Sequence, residues 1–313
     1  MERTLPLTQV VRERLEAWAR GAAGISEALQ GRPGADWSKA RAAYDEVMAE
    51  LFPAPPGVSL HVVDLDGVSA SRVIPDERKE ERTLLYIHGG GYASGAPKGY
   101  HGLAGRLSRL LRAEVFIPDY RLAPQCHFPG PIDDVVTAYR SLIEQGRDPR
   151  SLSVAGDSAG GAMVVTLMRK VRDAGLPLPA AGFAMSPWAN LAHTGASIQT
   201  RAGLDPACTL EFLTLLARNF LGDALPTDPD ASPVYADVRG LPPVLIQIGE
   251  NEIMLSDAIR LAAHLGESRV RVSLEIWPGM FHVWHLFAGL LPEADQALQN
   301  AVVFLEDAFA GRK

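Results

Sequence analysis

The chain has 313 residues, 47% of them hydrophobic, and a net charge of −7, which suits one large α/β-sized domain with a sizeable core. The acidic balance, with no Lys/Arg cluster to offset it, argues against nucleic acid or an anionic membrane surface as a partner. Only Cys126 and Cys208 are present. They make neither a disulfide framework nor a metal-type spacing, and fit a reducing cytoplasm as buried or inert thiols.

Residues 1–52 read as two amphipathic helices. Val11, Leu15 and Trp18 recur at helical spacing among charged residues, and no secretory apolar core is present. No run in the chain is long enough to span a membrane, so a soluble, cytoplasmic protein is expected. The second helix takes Asp36 or Ser38 as its N-cap and lines up Ala40, Tyr44, Val47 and Leu51. The proline-rich stretch Phe52 to Gly57 breaks that register.

Strands and helices then alternate. Val58–Leu65 and Ser69–Ile74 flank Asp66-Gly67 as a hairpin. Thr83–His88, Ala113–Pro118, Ser151–Gly156, Ala180–Ser186, Pro243–Gly249 and Val270–Trp277 are further apolar strands. Helices are expected near His101–Leu111, Ile132–Glu144, Ser158–Asp173, Ser256–Leu265 and Glu293–Phe309. This rhythm predicts a mostly parallel, eight-stranded sheet covered on both faces. Residues 187–241 interrupt it with one helical stretch, Thr209–Leu221, and read as an insertion over the carboxyl ends of the strands. With the helices of residues 1–52 it would cap the site of a catalytic domain spanning 53–313.

The chemistry concentrates at Gly156-Asp157-Ser158-Ala159-Gly160-Gly161, a Gly-x-Ser-x-Gly set between a buried strand and a helix. Such a turn holds a serine hydroxyl above a sheet, beside the free N–H groups of a helix N-terminus. Upstream, a strand runs into His88-Gly89-Gly90-Gly91-Tyr92, whose unhindered amides suit an oxyanion hole; His88 itself reads as a prop for that loop. The base is expected after the last strand, where His282 stands on a Pro-Gly loop and His285 is the competitor. The other histidines fall on strands, helices or surface loops.

An acid is expected just past Leu245–Gly249. Glu250 is too close to the strand end and Asp257 suits a helix first turn, which leaves Glu252 as the choice and Asp257 as runner-up. Asp119 and Arg121 read as a structural network under the oxyanion strand, and Asp133 and Asp134 as charges capping the next helix.

These segments, with Pro118-Asp119-Tyr120-Arg121-Leu122-Ala123-Pro124 and Ser186-Pro187-Trp188, resemble in order and spacing the hormone-sensitive-lipase-like family of α/β-hydrolases, in its bacterial carboxylesterase branch. The resemblance covers roughly residues 55–310. It implies an α/β-hydrolase fold with a helical cap, Ser158 as nucleophile, His282 as base, and the N–H groups of Gly90, Gly91 and Ala159 as oxyanion donors. Family members usually carry aspartate followed by Pro-Leu where this chain has Glu252-Ile253-Met254, so the acid is the one point of departure. Tyr92 and Trp188 are expected to line the substrate pocket. No metal or organic cofactor is required, and the expected substrates are small, mostly neutral esters of short to medium acyl chain. Lactones or amides on the same site are the alternatives, with a non-catalytic ligand-binding homologue a remoter one. Similar proteins often dimerise through an edge strand, for which Val270–Trp277 is the candidate.

Overall fold

The computed structural model describes residues 7–79 and 81–311. The N-terminal segment forms three helices rather than the expected two: α1 (Gln9–Gly21), α2 (Ala23–Leu29) and α3 (Trp37–Leu51). A break at Ala22 splits the first expected helix, and residues 1–6 lie outside the described residues. Asp36 caps α3 by accepting from the backbone N–H of Ser38 and Lys39.

Beyond the proline-rich break, β1 (Val58–Leu65) and β2 (Val68–Pro75) form the hairpin, with Asp66 at φ 57° and Gly67 at φ 84°. Two consecutive left-handed residues are what a tight two-residue hairpin turn demands. Then follow β3 (Thr83–Ile87), α4 (His101–Leu111), β4 (Glu114–Pro118), α5 (Gly130–Glu144), β5 (Leu152–Asp157), α6 (Ala159–Asp173) and β6 (Gly182–Met185). The insertion holds a single turn α7 (Ser197–Thr200) and α8 (Leu210–Leu221), the latter capped by the Thr209 hydroxyl. The chain closes with β7 (Val244–Gly249), α9 (Leu255–Glu267), β8 (Val272–Trp277) and α10 (Pro292–Phe309).

The eight strands make one sheet in the order β1-β2-β4-β3-β5-β6-β7-β8. β2 pairs antiparallel with both β1 and β4, and every pairing from β4 to β8 is parallel. Strands β3, β4, β5, β6 and β7 are buried along their whole length, as their unbroken apolar runs require. Successive side chains split between two cores. Leu85 and Ile87 of β3 join the layer of α5, α6 and α9, whereas Leu84 and Tyr86 join that of α4, α10 and α3. Burying each of these leucines stabilises the fold by about 1.5–3 kcal/mol. Among the described residues, no helix is long and apolar enough to cross a membrane.

Candidate active site

The carboxyl ends of β3, β5, β7 and β8 bring the motif loops together. At the end of β5 the chain turns so sharply into α6 that Ser158 adopts φ 54° and ψ −118°. A non-glycine residue held there costs on the order of 1–3 kcal/mol, which the surroundings must over-determine. They do: the Ser158 N–H donates to the Met185 carbonyl at 2.9 Å, and its own carbonyl accepts from the Trp188 N–H at 3.0 Å. The flanking glycines follow from the crowding of strand against helix. A β-carbon on Gly156 would meet the Gly160 carbonyl oxygen at 2.5 Å and that of Ile87 at 2.6 Å, and one on Gly160 would run into the Ile87 carbonyl.

Three side chains from three loops then form a hydrogen-bonded line. His282 Nε2 lies 2.9 Å from Ser158 Oγ, and His282 Nδ1 lies 2.8 Å from Glu252 Oε2. The other glutamate oxygen, Oε1, accepts from Ser186 Oγ at 2.7 Å and from the Gly249 N–H at 2.6 Å. Ser186 in turn accepts from the Val283 N–H at 3.1 Å. That bond helps to hold Val283, a β-branched residue, at φ 51° beside the histidine. The loop is braced again by Glu250, whose carboxylate accepts from the Gly279 N–H at 3.0 Å. Burial disfavours a charged His282, while the Cys208 sulfur and the Glu252 carboxylate favour it. The net displacement is upward, well above the ordinary histidine value.

Gly90 and Gly91 occupy φ 105° and 62° in the loop after β3. Among the described residues, the backbone N–H groups of Gly90, Gly91 and Ala159 have no hydrogen-bond acceptor. The loop and the elbow are tied to one another by Asp157, a residue the motif reading left without a role. Its Oδ1 accepts from the Tyr86 hydroxyl at 2.6 Å and from the Gly89 N–H at 2.9 Å. Burial pushes the Asp157 carboxyl up to about 6.

Other sequence candidates fall elsewhere. His285 is buried with Nε2 2.9 Å from Gln247 Oε1. Asp257 is buried near Asn190 and does not contact His282. His88 is buried between the rings of Tyr100 and Tyr120 and contacts its own loop through the Gly89 carbonyl. Tyr120 donates to the His88 carbonyl at 2.8 Å, which gives the segment after β4 its place beneath the oxyanion strand. Arg121 serves that segment by a bidentate pair with Asp134. Asp134 is therefore an ion-pair partner rather than a helix cap, because its side chain turns back to Arg121; Asp133 does lie in the first turn of α5.

A cavity of about 90 Å³, taken as room for the centre of a water-sized sphere, opens beside Ser158 and His282. Its walls come from α1, α2, α8 and the motif loops, and include Leu15, Trp18, Ile25, Phe212, Leu216 and Trp188. Tyr92, expected on this wall, is not there. Its ring stacks on Phe220 at 3.7 Å and its hydroxyl reaches toward the Ala159 carbonyl, so it supports the cavity from behind. Cys208, expected to be a buried or inert thiol, lies on the wall itself and interacts with His282. Cys126 remains a half-buried free thiol.

The chain is similar to known proteins over most of its length. Residues 84–286 match the family described as alpha/beta hydrolase fold. An acetyl-hydrolase of Streptomyces hygroscopicus is 41% identical over 270 residues, covering 86% of this chain and 89% of its own. An ethyl acetate hydrolase of Pseudomonas putida is 32% identical over 231 residues, covering 71% of this chain and 72% of its own. The crystal structure of an esterase from the bacterial hormone-sensitive lipase family superposes with a TM-score of 0.85 at 36% identity, covering 94% of this chain and 98% of that one.

Proposed function

Because the chain belongs to the bacterial hormone-sensitive-lipase-like family of α/β-hydrolases and is a carboxylesterase, we propose that it works through Ser158, His282 and Glu252 on small neutral esters. The observation that carries this reading is the unbroken line of contacts at 2.9 Å and 2.8 Å from the Ser158 hydroxyl through the imidazole to the carboxylate. Ser158 Oγ attacks the ester carbonyl while His282 Nε2 takes its proton. Glu252 holds the opposite ring nitrogen and stabilises the imidazolium that forms. The negative charge on the former carbonyl oxygen is received by the N–H groups of Gly90, Gly91 and Ala159, which among the described residues are free of other acceptors, and of which Ala159 also stands at the N-terminus of α6. The imidazolium then protonates the departing alcohol, and water repeats the cycle on the acyl-enzyme.

The cavity supports the choice of substrate. A water-sized site needs about 10–15 Å³ on this measure, so a cavity of this size holds a chain of several heavy atoms. Among the described residues its walls carry no lysine or arginine, which favours uncharged acyl groups. Short chains, from acetyl to about butyryl, are the favoured end of the short- to medium-chain range. The helices of residues 1–52 and the 187–241 insertion act as the cap that closes over this acyl chain. In the assembled enzyme two copies pair along β8, whose outer edge is unpaired among the described residues.

The test is Ser158→Ala assayed with p-nitrophenyl butyrate. The expected outcome is a fall in kcat/KM of roughly 10⁴-fold or more with the fold retained by circular dichroism. Turnover near the wild-type rate would overturn the assignment.

A further inference from the structure

Next to His282 stand two side chains, Asp205 and Cys208, that ester hydrolysis does not use. Asp205 and Cys208, three residues apart on the segment leading into α8, converge on His282, and one ligating atom from each lies within 4.8 Å of the other two. All three side chains are buried. Asp205 is only 5% exposed. Its Oδ1 accepts from the Ala207 N–H at 2.9 Å. Its Oδ2 has no hydrogen-bond partner of ordinary geometry among the described residues, although the His282 backbone N–H lies close enough to favour the charged carboxylate. A buried carboxylate oxygen left unsatisfied is costly and calls for a cation or a donor.

We propose that Asp205, Cys208 and His282 form an inhibitory site for a borderline-soft divalent cation of the zinc class. The donor set selects the ion: a thiolate, an imidazole and a carboxylate suit zinc, whereas magnesium and calcium prefer oxygen alone. Two ligands spaced by two residues on one turn, joined by a distant third, make a compact chelate. With ordinary zinc bond lengths, tetrahedral ligand atoms stand about 3.3–3.6 Å apart. The cluster must therefore contract by about an ångström, within reach of side-chain rotation at Asp205 and Cys208.

Binding is a simple exchange without oxidation or reduction. The Cys208 thiol loses its proton to solvent, and the sulfur pair and a carboxylate pair go to the metal. The imidazole contributes its one lone pair. Both ring nitrogens are engaged, Nε2 with Ser158 and Nδ1 with Glu252. Whichever nitrogen binds, the lone pair that would have taken the serine proton is occupied. That the ion inhibits, though not that it binds, rests on His282 being the base as proposed above. Cys208 and His282 both face the cavity, so an ion entering by the substrate route meets them directly.

The experiment uses the full-length protein, stripped of metal and titrated with Co²⁺ and then Zn²⁺. We expect one Co²⁺ per chain, a thiolate-to-cobalt charge-transfer band in the near ultraviolet, and displacement of that band by Zn²⁺. Hydrolysis of p-nitrophenyl butyrate should fall in parallel and return when a chelator is added. In Cys208→Ala the band should vanish, and the Zn²⁺ concentration for half-inhibition should rise by roughly tenfold or more; Asp205→Asn should raise it less. Ser158→Ala should keep the spectrum. Absence of the near-ultraviolet band, or Zn²⁺ inhibition unchanged in Cys208→Ala, would overturn the proposal and point to surface ligands. A protein that binds Co²⁺ with the thiolate band yet hydrolyses no ester when metal-free would instead refute the functional reading and leave the site standing.

Discussion

Glu252 occupies the position where an aspartate is usual, and the structure gives the longer side chain two tasks at once. One oxygen faces His282 and the other is clasped by Ser186 and the Gly249 N–H, so the carboxylate cannot rotate without losing a contact. The consequence appears in pH dependence. His282 must be neutral to accept the serine proton, and its pKa is displaced upward. The kcat/KM of ester hydrolysis is therefore expected to rise with pH through a midpoint above the ordinary histidine value, and to be lost below it. Glu252→Gln removes the negative charge that favours the imidazolium, so the acid limb should move to lower pH while the plateau falls, as read from a pH–rate profile. An acid limb left unmoved would mean that Glu252 does not face the base. The sequence displayed Ser158 and His282 because glycines and chain order announce them. Ser186 stood in a motif block without a role and Cys208 read as an inert thiol, since nothing local assigns either a partner; Ser186 meets its carboxylate partner 66 residues away, through the register of parallel strands. Glu252 was preferred to Asp257 on position alone; in the fold Glu252 lies 2.8 Å from His282 Nδ1, whereas Asp257 stands beside Asn190.

Among the elements, β3 and β5 are neighbours in the sheet, and each ends in one half of the proposed catalytic apparatus. Asp157 fastens the two ends together, with Tyr86 reaching across from β3. Tyr86→Phe deletes the hydroxyl and leaves a buried carboxylate with fewer donors. Loss of one donor to a buried, charged acceptor costs about 1–3 kcal/mol. We expect a drop of that size in urea-unfolding free energy, with a smaller fall in kcat as the oxyanion loop loosens; an unchanged stability would show that the Gly89 N–H alone suffices. Strand and helix identity were legible here because apolar runs and amphipathic periods differ, and most boundaries fall within a residue or two. The first helix misled because Val11, Leu15 and Trp18 share a face regardless of the break at Ala22. Tyr92 misled for a related reason: adjacency to a motif fixes the backbone, while φ 60° turns the ring toward Phe220.

At the scale of the whole molecule, the sheet has an exposed flank in β8, where Ile276 is 45% accessible. A pair of copies zipped along that strand should sediment as a dimer, and Ile276→Lys, which sets two ammonium groups near one another across the seam, should shift it to monomer. A wild-type protein that sediments as a monomer at micromolar concentration would remove the edge from consideration. The alternating β and α order made the sheet legible from the sequence. The walls of the cavity were not, because α1 and α2 meet α8, from a distant part of the chain, only in three dimensions.

The strand at that flank also leads to the proposed base. β8 ends at Trp277, and His282 stands on the loop that leaves it, with Asn251 and Glu250 bracing the bend. A neighbour gripping β8 therefore steadies the very stalk on which the proton acceptor is mounted. Diluting the enzyme below its dimer dissociation constant should then lower turnover per active centre, so that rate plotted against protein concentration curves upward instead of running straight through the origin.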